Sequence, residues 1–306
     1  MAEKWVTVMG SFVADLAFRM ERLPAWGETL MGPSFVMGPG GKGSNQAVAA
    51  ARAGGKVSFI SKLGPDPFGE MARKLYATEG IDTQFLFSTE EPTGAAAILI
   101  DAVKGENAII VVPGACFGVT PAEVDQAREL IAASSVFVAQ LELSLPVVMH
   151  GLKLAHSLGV PTILNPAPAM SLPESIYADV DYITPNETET AALTGVVVNG
   201  VEDAEKAADA FLARGVRNAI ITLGAQGAFV KNAHVKAHVP AVSAGNVLET
   251  TGAGDAFNGG FAVALSEGMD LVEAVRFGCA TAGISVTRAG TAPSMPTRAE
   301  IDALLM

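Results

Sequence analysis

The sequence predicts one α/β unit with a small separate β-sheet laid over it. Three observations carry that expectation. Short apolar runs of strand length alternate with helical segments along most of the chain. Two consecutive strand patterns, Thr93 to Ile100 and Ala108 to Val112, have no helix between them and so break the βαβ rhythm. No internal repeat, low-complexity tract or linker divides the 306 residues, a length that suits one large α/β domain.

The elements follow in order. Trp5 to Gly10 is an apolar run ending in Gly, which predicts a buried first strand, with Asp15 just beyond its carboxyl end. Open α/β sheets bind ligands at that end. Residues 21 to 38 are rich in Pro and Gly and contain Thr29 to Met37, a strand outside the main sheet; such a stretch reads as a flap. The Thr93–Val112 pair, joined by the turn DAVKGEN, is expected to pair with it. Glycines open an Ala-rich helix from Ser44 to Ala53, closed by a double Gly. Lys56 to Leu63 alternates as a strand, and Phe68 to Glu79 is helical. A helix from Pro121 to Ala133, the strand SSVFVAQLE, a helix from Pro146 and the strand PTILN come next. Val201 to Ala213 is helical and precedes the strand NAIITLG. Helices ending at Ser266, spanning Leu271 to Val286, and closing the chain after TRAGTAPSMP complete the pattern.

Composition removes several function classes. A net charge of −12 repels nucleic-acid backbones and anionic membranes. Half of the residues are hydrophobic, yet no uninterrupted apolar run reaches membrane-spanning length. The start MAEKWVTVMG has no basic head, long apolar stretch or cleavage site, so no export signal is expected. Cys116 and Cys279 lack zinc spacing and read as reduced thiols of a cytoplasmic protein. His150, His156, His234 and His238 show no metal or triad spacing.

Chemistry concentrates in four stretches. In ETTGAGDAFNGGF, Gly252, Ala253 and Gly254 precede Asp255 and an apolar helix. Small residues let backbone amides turn toward a ligand, and a helix start adds unpaired N–H groups and the positive dipole end. A carboxylate beside such a cradle suits the holding and deprotonation of an attacking hydroxyl during phosphoryl transfer; an Asp helix cap is the plainer alternative. GPGGKGSNQAVAAARAGG is not a Walker loop, because Gly43 follows Lys42 where Ser or Thr is needed. It is either a ligand loop or a glycine turn for close helix–sheet packing, and in the latter case Lys42 and Asn45 lie on the surface. Glu142 and Asn165 fall at the carboxyl ends of their strands. Asn186 and Glu189 share one face of a helix start, where they form a cap, hold a hydrated Mg²⁺, or do both. The glycine-bounded turn Thr222, Leu223, Gly224, Ala225, Gln226, Gly227 suits a nucleotide lying across a strand end.

Together these motifs resemble the ribokinase (pfkB) family of carbohydrate kinases over essentially the full chain. GGKGSNQAVAA is similar to its amino-terminal signature and TTGAGDAFNGGF to its carboxyl-terminal one, with NPAP and TPNETE between them. Within the family the motifs are most similar to ribokinases and deoxyribokinases. The resemblance implies a central, mostly parallel sheet flanked by helices on both faces, with a β lid over roughly 12–38 and 92–113 that often pairs two subunits. It implies Asp255 as catalytic base, and Gly252, Ala253 and Gly254 as the anion hole. Sugar contacts fall on Asp15, Gly41, Lys42, Asn45 and Glu142. Asn186 and Glu189 fall near Mg²⁺ and the ATP phosphates, and Thr222 to Gly227, Gly254 and Cys279 near the nucleotide. Glu249, Thr251, Ser285, Arg288, Gly290 and Ser294 match a monovalent-cation site, for which K⁺ is the expected activator.

Three positions depart from that pattern: Val13 stands where an Asn is usual, Glu249 where an Asp is usual, and Cys279 where a His is common. The resulting expectation is an ATP-dependent kinase acting on the 5-hydroxyl of a pentose, as a homodimer joined through the lid. Deoxyribose, a ketohexose or a nucleoside are alternative substrates. A non-catalytic sugar-binding protein is disfavoured by the intact Asp255 and Asn186/Glu189. A nicotinamide dehydrogenase is excluded because no G-x-G-x-x-G follows the first strand.

Overall fold

Parallel pairing brings the carboxyl ends of the central strands, where Glu142 and Asn165 fall, to the same end of a large sheet. The computed structural model describes residues 5–102 and 107–306. In chain order the elements are β1 (Trp5–Met9), β2 (Val13–Met20), β3 (Ser34–Gly40), α1 (Lys42–Arg52), β4 (Lys56–Leu63), α2 (Pro67–Glu79), β5 (Leu86–Ser88), β6 (Thr93–Asp101) and β7 (Asn107–Gly114). There follow α3 (Pro121–Gln126), α4 (Arg128–Ala132), β8 (Ser134–Ala139), α5 (Leu145–Ser157), β9 (Thr162–Leu164), β10 (Tyr182–Ile183), α6 (Glu187–Thr194) and α7 (Val201–Ala213). The chain ends with β11 (Asn218–Thr222), β12 (Ala228–Lys231), β13 (Lys236–Val239), α8 (Ala253–Glu267), α9 (Leu271–Ser285) and α10 (Arg298–Leu305).

Among the described residues the large sheet has nine strands, in the order β13-β12-β11-β10-β9-β8-β1-β4-β5. Pairing is parallel from β11 through β5. Strands buried on both faces send alternate side chains into two cores. Val6, Val8, Val136 and Val138 pack with α1, α8 and α9 through Ala47, Ala50, Phe261 and Ala280. Met9, Phe137 and Ala139 pack on the other face with Leu152 of α5 and Phe211 of α7. Helices therefore cover both faces, as expected.

The small sheet runs β3-β2-β6-β7, with β2 parallel to β6 and the outer pairs antiparallel. Here the structure corrects the reading of local pattern. The strand expected at Thr29–Met37 is displaced to Ser34–Gly40, because its register is set by β2, from Val13 opposite Gly40 to Arg19 opposite Ser34. The β6/β7 pair meets β2, not β3. Residues 103–106 of the DAVKGEN turn lie outside the described residues. The helix expected from Pro121 to Ala133 divides at Ala127, and an antiparallel hairpin, β12 and β13, extends the large sheet beyond β11.

Two glycine contacts set the depth of α1. A Cβ on Gly43 would sit 2.6 Å from Gly10 Cα, so the start of the helix rests directly on the end of β1. A Cβ on Gly259 of α8 would sit 2.5 Å from Ala49 Cβ and 2.7 Å from the Gln46 carbonyl oxygen. Small residues on both helices thus let α1 and α8 touch backbone to backbone.

Candidate active site

Asp255 lies in the first turn of α8, only 6 % exposed. Its Oδ2 accepts from Asn45 Nδ2 at 3.0 Å and its Oδ1 from Gln46 Nε2 at 3.0 Å. Gly252 starts the helix in the left-handed region at φ 81, so no side chain sits there without strain. The Ala253 amide donates to the Thr250 carbonyl at 3.1 Å, and the next helix-start amides belong to Gly254 and Asp255. A Cβ on Gly254 would meet nothing within 4 Å, so open space lies before the helix start. That space is a cavity shared by Lys42, Asn165, Asn186, Glu189, Gly254 and Asp255. Asp255 is therefore no simple surface cap.

The residues expected to meet a sugar gather at the start of α1. Gly41 has φ 88, and a Cβ there would lie 2.8 Å from Val13 N, so glycine permits the close approach to β2. The first free amide of α1, that of Lys42, donates to Glu142 Oε2 at 2.9 Å, and Ser11 Oγ donates to the same oxygen. Glu142 thus supplies the negative charge that a helix start favours. The Lys42 ammonium is held above its ordinary pKa, chiefly by Asp255, against burial, with Glu142 and Glu189 adding to the rise. Asn45 is buried, and its Oδ1 has no protein partner among the described residues. The glycines of GGKGSNQA do pack closely, but Lys42 and Asn45 are not surface residues as the packing reading required: Lys42 lines the cavity and the buried Asn45 bonds Asp255.

Asp15, on β2, has its carboxyl pushed up to about 6 by burial. A hydrogen bond from Thr291 opposes the rise, while Glu142, Asp255 and Glu249 add to it. Thr291 Oγ1 lies 3.4 Å from Asp15 Oδ2 and 3.0 Å from the Pro39 carbonyl oxygen.

Asn186 and Glu189 form a full capping box. The Glu189 carboxylate accepts from Asn186 N at 2.9 Å and Nδ2 at 3.1 Å, and Asn186 Oδ1 accepts from Glu189 N at 2.8 Å. Both also line the cavity. Burial raises the Glu189 pKa, while the Asn186 amide and Lys42 oppose that rise. No cluster of three or more His, Cys, Asp or Glu side chains suited to a metal occurs among the described residues. One buried carboxylate with lone pairs to spare fits a Mg²⁺ that keeps its waters.

Thr222 ends β11, and its hydroxyl reaches the Pro185 carbonyl. Leu223 is buried, while Gly224, Ala225 and Gln226 form an exposed turn at the same strand end. Gly227 closes it at φ 92, with the Val239 carbonyl 2.1 Å from where a Cβ would stand. Cys279 is buried in the α9 side of the core. The remaining candidates meet around the loop after α9: Glu249 Oε2 accepts from Gly290 N at 2.9 Å. The side chains of Ser285 and Ser294 bond local carbonyls, and that of Arg288 bonds Glu300. Glu249 N also donates to the Val286 carbonyl at 3.1 Å, so Glu249 is held against the chain after α9 at two points. Arg52, at the far end of α1, reaches the carbonyls of Ala292, Pro293 and Met295 at 3.0–3.2 Å.

Sequence reasoning passed over Gln46, Gln140, Thr184, Asn258 and Thr291. The first and fourth stand beside Asn45 and Asp255 inside otherwise apolar helices, which was the available signal.

The fold and this cavity define a phosphotransferase of one family. A family model described as pfkB family carbohydrate kinase matches residues 4–298, and the chain belongs to that family. Ribokinase of Haemophilus influenzae is 43% identical over 298 residues, covering 97% of each chain. Deoxyribokinase of Salmonella typhi is 36% identical over 294 residues, covering 95% of each. The solved structure of Arabidopsis thaliana ribokinase complexed with ribose and ATP is 31% identical, with a TM-score of 0.92, and covers 100% of this chain and 99% of that one.

Asp15 makes stability depend on pH. With its folded pKa near 6 against an ordinary 3.8, the folded protein binds more protons than the unfolded chain between those values. Stability attributable to Asp15 therefore falls as pH rises through that window, and the full loss is present above it. Asp15→Asn removes that pH dependence. Thermal midpoints of the two proteins should coincide near pH 4 and diverge by pH 7, with Asp15→Asn the more stable; parallel curves would contradict the burial of a shifted carboxyl.

Proposed function

We propose that this protein transfers the γ-phosphoryl group of ATP to the 5-hydroxyl of a pentose, with ribose the first candidate. The observation that carries the reading is Asp255, hydrogen-bonded through both oxygens and set at the start of α8 in a cavity shared with Lys42 and Glu189. The ribokinase relatives, one of them complexed with ribose and ATP, support it. In this reading Asp15, Gly41, Lys42, Asn45 and Glu142 surround the sugar, and Asp255 orients the hydroxyl and takes its proton. The amides of Gly254 and Asp255 face the transferred group, that of Ala253 being engaged by the Thr250 carbonyl, and Lys42 offsets its charge. The nucleotide lies along Thr222–Gly227, toward Cys279. Mg²⁺ held through water by Asn186 and Glu189 would offset charge on the phosphates. The free thiols Cys116 and Cys279 support a cytoplasmic setting.

The test is ADP release from ATP against a panel of pentoses, deoxypentoses, ketohexoses and nucleosides. Asp255→Asn should lower turnover by about 10²–10⁴ while ATP binding is retained; near-normal turnover would remove Asp255 as base. The same assay in KCl should run faster than in tetramethylammonium chloride of equal ionic strength, and equal rates would remove K⁺ from the reading.

A second substrate is favoured by one residue. Val13 is 4 % exposed and lies two positions before Asp15 on β2, so both side chains leave the same face of the strand. A 2-hydroxyl pressed on its methyl groups would lose a water partner, costing about 1–3 kcal/mol, whereas 2-deoxyribose loses nothing there. The ratio of kcat/KM for ribose and 2-deoxyribose should shift toward ribose in Val13→Asn. A strong ribose preference unchanged by the substitution would leave ribose alone.

We also propose that the small sheet acts as a lid and joins two subunits. Its face opposite Asp15 exposes Phe18, Phe35, Met37, Ile110 and Val112, with Phe35 at 53 % and Ile110 at 62 %. A contiguous apolar face of this kind favours a partner. Sedimentation at micromolar concentration should give a dimer, and Phe35→Lys with Ile110→Lys should give a monomer.

A further inference from the structure

Gln46 and Gln140 are 0 % and 1 % exposed, and neither lines the cavity. We infer that they are positioning residues: a one-way chain of amides, Gln140 to Gln46 to Asp255, that fixes the plane of the catalytic carboxylate. The inference rests on the reading of Asp255 as base.

The direction of the chain follows from chemistry. An ionised carboxylate only accepts hydrogen bonds, so Gln46 must turn its NH₂ group toward Asp255. Its Nε2 lies 3.0 Å from Asp255 Oδ1 and 3.0 Å from Asn165 Oδ1, which uses both hydrogens. The Gln46 oxygen must then face away, and it accepts from Gln140 Nε2 at 2.7 Å. The carbonyl end of Gln140 is left over: its Oε1 is buried without a partner among the described residues, and a Cβ on Gly10 would stand 2.2 Å from it. A buried, unpartnered carbonyl is costly, and a reversal of either amide would point oxygen at oxygen. The oxygen–oxygen repulsion on reversal outweighs the one unpartnered carbonyl and keeps both amides in one orientation.

The second hydrogen of Gln46 leads onward. Asn165 Nδ2 donates to the Thr184 carbonyl at 3.1 Å, Thr184 Oγ1 to Asn258 Oδ1 at 2.7 Å, and Asn258 Nδ2 to the Gly254 carbonyl at 2.8 Å. The network thus ends on the peptide joining Gly254 to Asp255. One ring holds both the base and the helix-start peptide beside it. A carboxylate attached to its chain by an sp³–sp² bond has a broad rotational well, and the ring removes that freedom. Small misplacement of a reacting group costs about 10²-fold in rate.

The test uses kcat and KM for ribose and ATP in the intact enzyme, with thermal midpoints recorded. Gln46→Met should lower kcat by about ten- to a hundredfold and leave both KM values within about threefold, since the residue touches neither substrate. Gln140→Met, one bond further out, should lower kcat by a smaller factor with the same split. In an Asp255→Ala background Gln46→Met should lower the residual rate no further, because the residue acts through that carboxylate. Should Gln46→Met fail to fold, Gln140→Met decides by the same comparison. Unchanged kcat, a loss confined to KM, or an equal loss in the Asp255→Ala background would overturn the assignment. If Asp255→Ala itself leaves turnover intact, the base reading fails and this inference with it; if it abolishes turnover while the glutamine variants stay normal, only this inference fails.

Discussion

The site depends on how closely α1 approaches α8. Gly259 presents no side chain to Ala49, and the two helices meet with backbone against backbone. At that separation the amides of Asn45 and Gln46 fall within 3.0 Å of Asp255. A larger residue at the crossing would leave the same side chains short of the carboxylate. Gly43 does the same between α1 and β1. The apolar contact and the polar site are thus one arrangement, since the small residues that seal the core also set the hydrogen-bond lengths.

Charge is organised around a single ammonium. Asp15, Glu142, Glu189 and Asp255 all influence one another or Lys42, although the protein as a whole carries −12. A polyanion enters such a place only through local compensation. Lys42 supplies one positive charge, the starts of α1 and α8 supply oriented amides, and Glu142 already occupies the first of these. That leaves the start of α8 as the remaining oriented donor, next to Asp255. The loop after α9 closes the arrangement from behind, tied to Glu249, to Arg52, and through Thr291 to the small sheet.

Much of this was legible in the sequence where the determinants are local. Glycines before Asp255, the Asn186–Glu189 spacing and the apolar strand runs each act within a few residues, and Val201–Ala213 falls on its expected bounds. The displaced β3, the pairing of β6 with β2, and the β12/β13 hairpin depend on partners far along the chain, and period-two alternation does not name a partner. Gln46 and Gln140 illustrate the limit most clearly. Gln46 follows Ser44 and Asn45 at a helix start, Gln140 stands alone in an apolar strand run 94 positions away, and only the folded chain shows that one orients the other.

The segment from Gly41 to Ala49 carries anchors for four neighbours: β1 at Gly43, Glu142 at Lys42, Asp255 at Asn45 and Gln46, and α8 at Ala49. On a helix each residue turns by about 100°. One residue inserted between Gly43 and Ala49 would keep every side chain yet rotate one set of anchors away from the other. Substitutions here can fail one at a time, whereas a change of length fails everywhere at once. This turn of helix is a gauge whose spacing, more than its chemistry, has no tolerance.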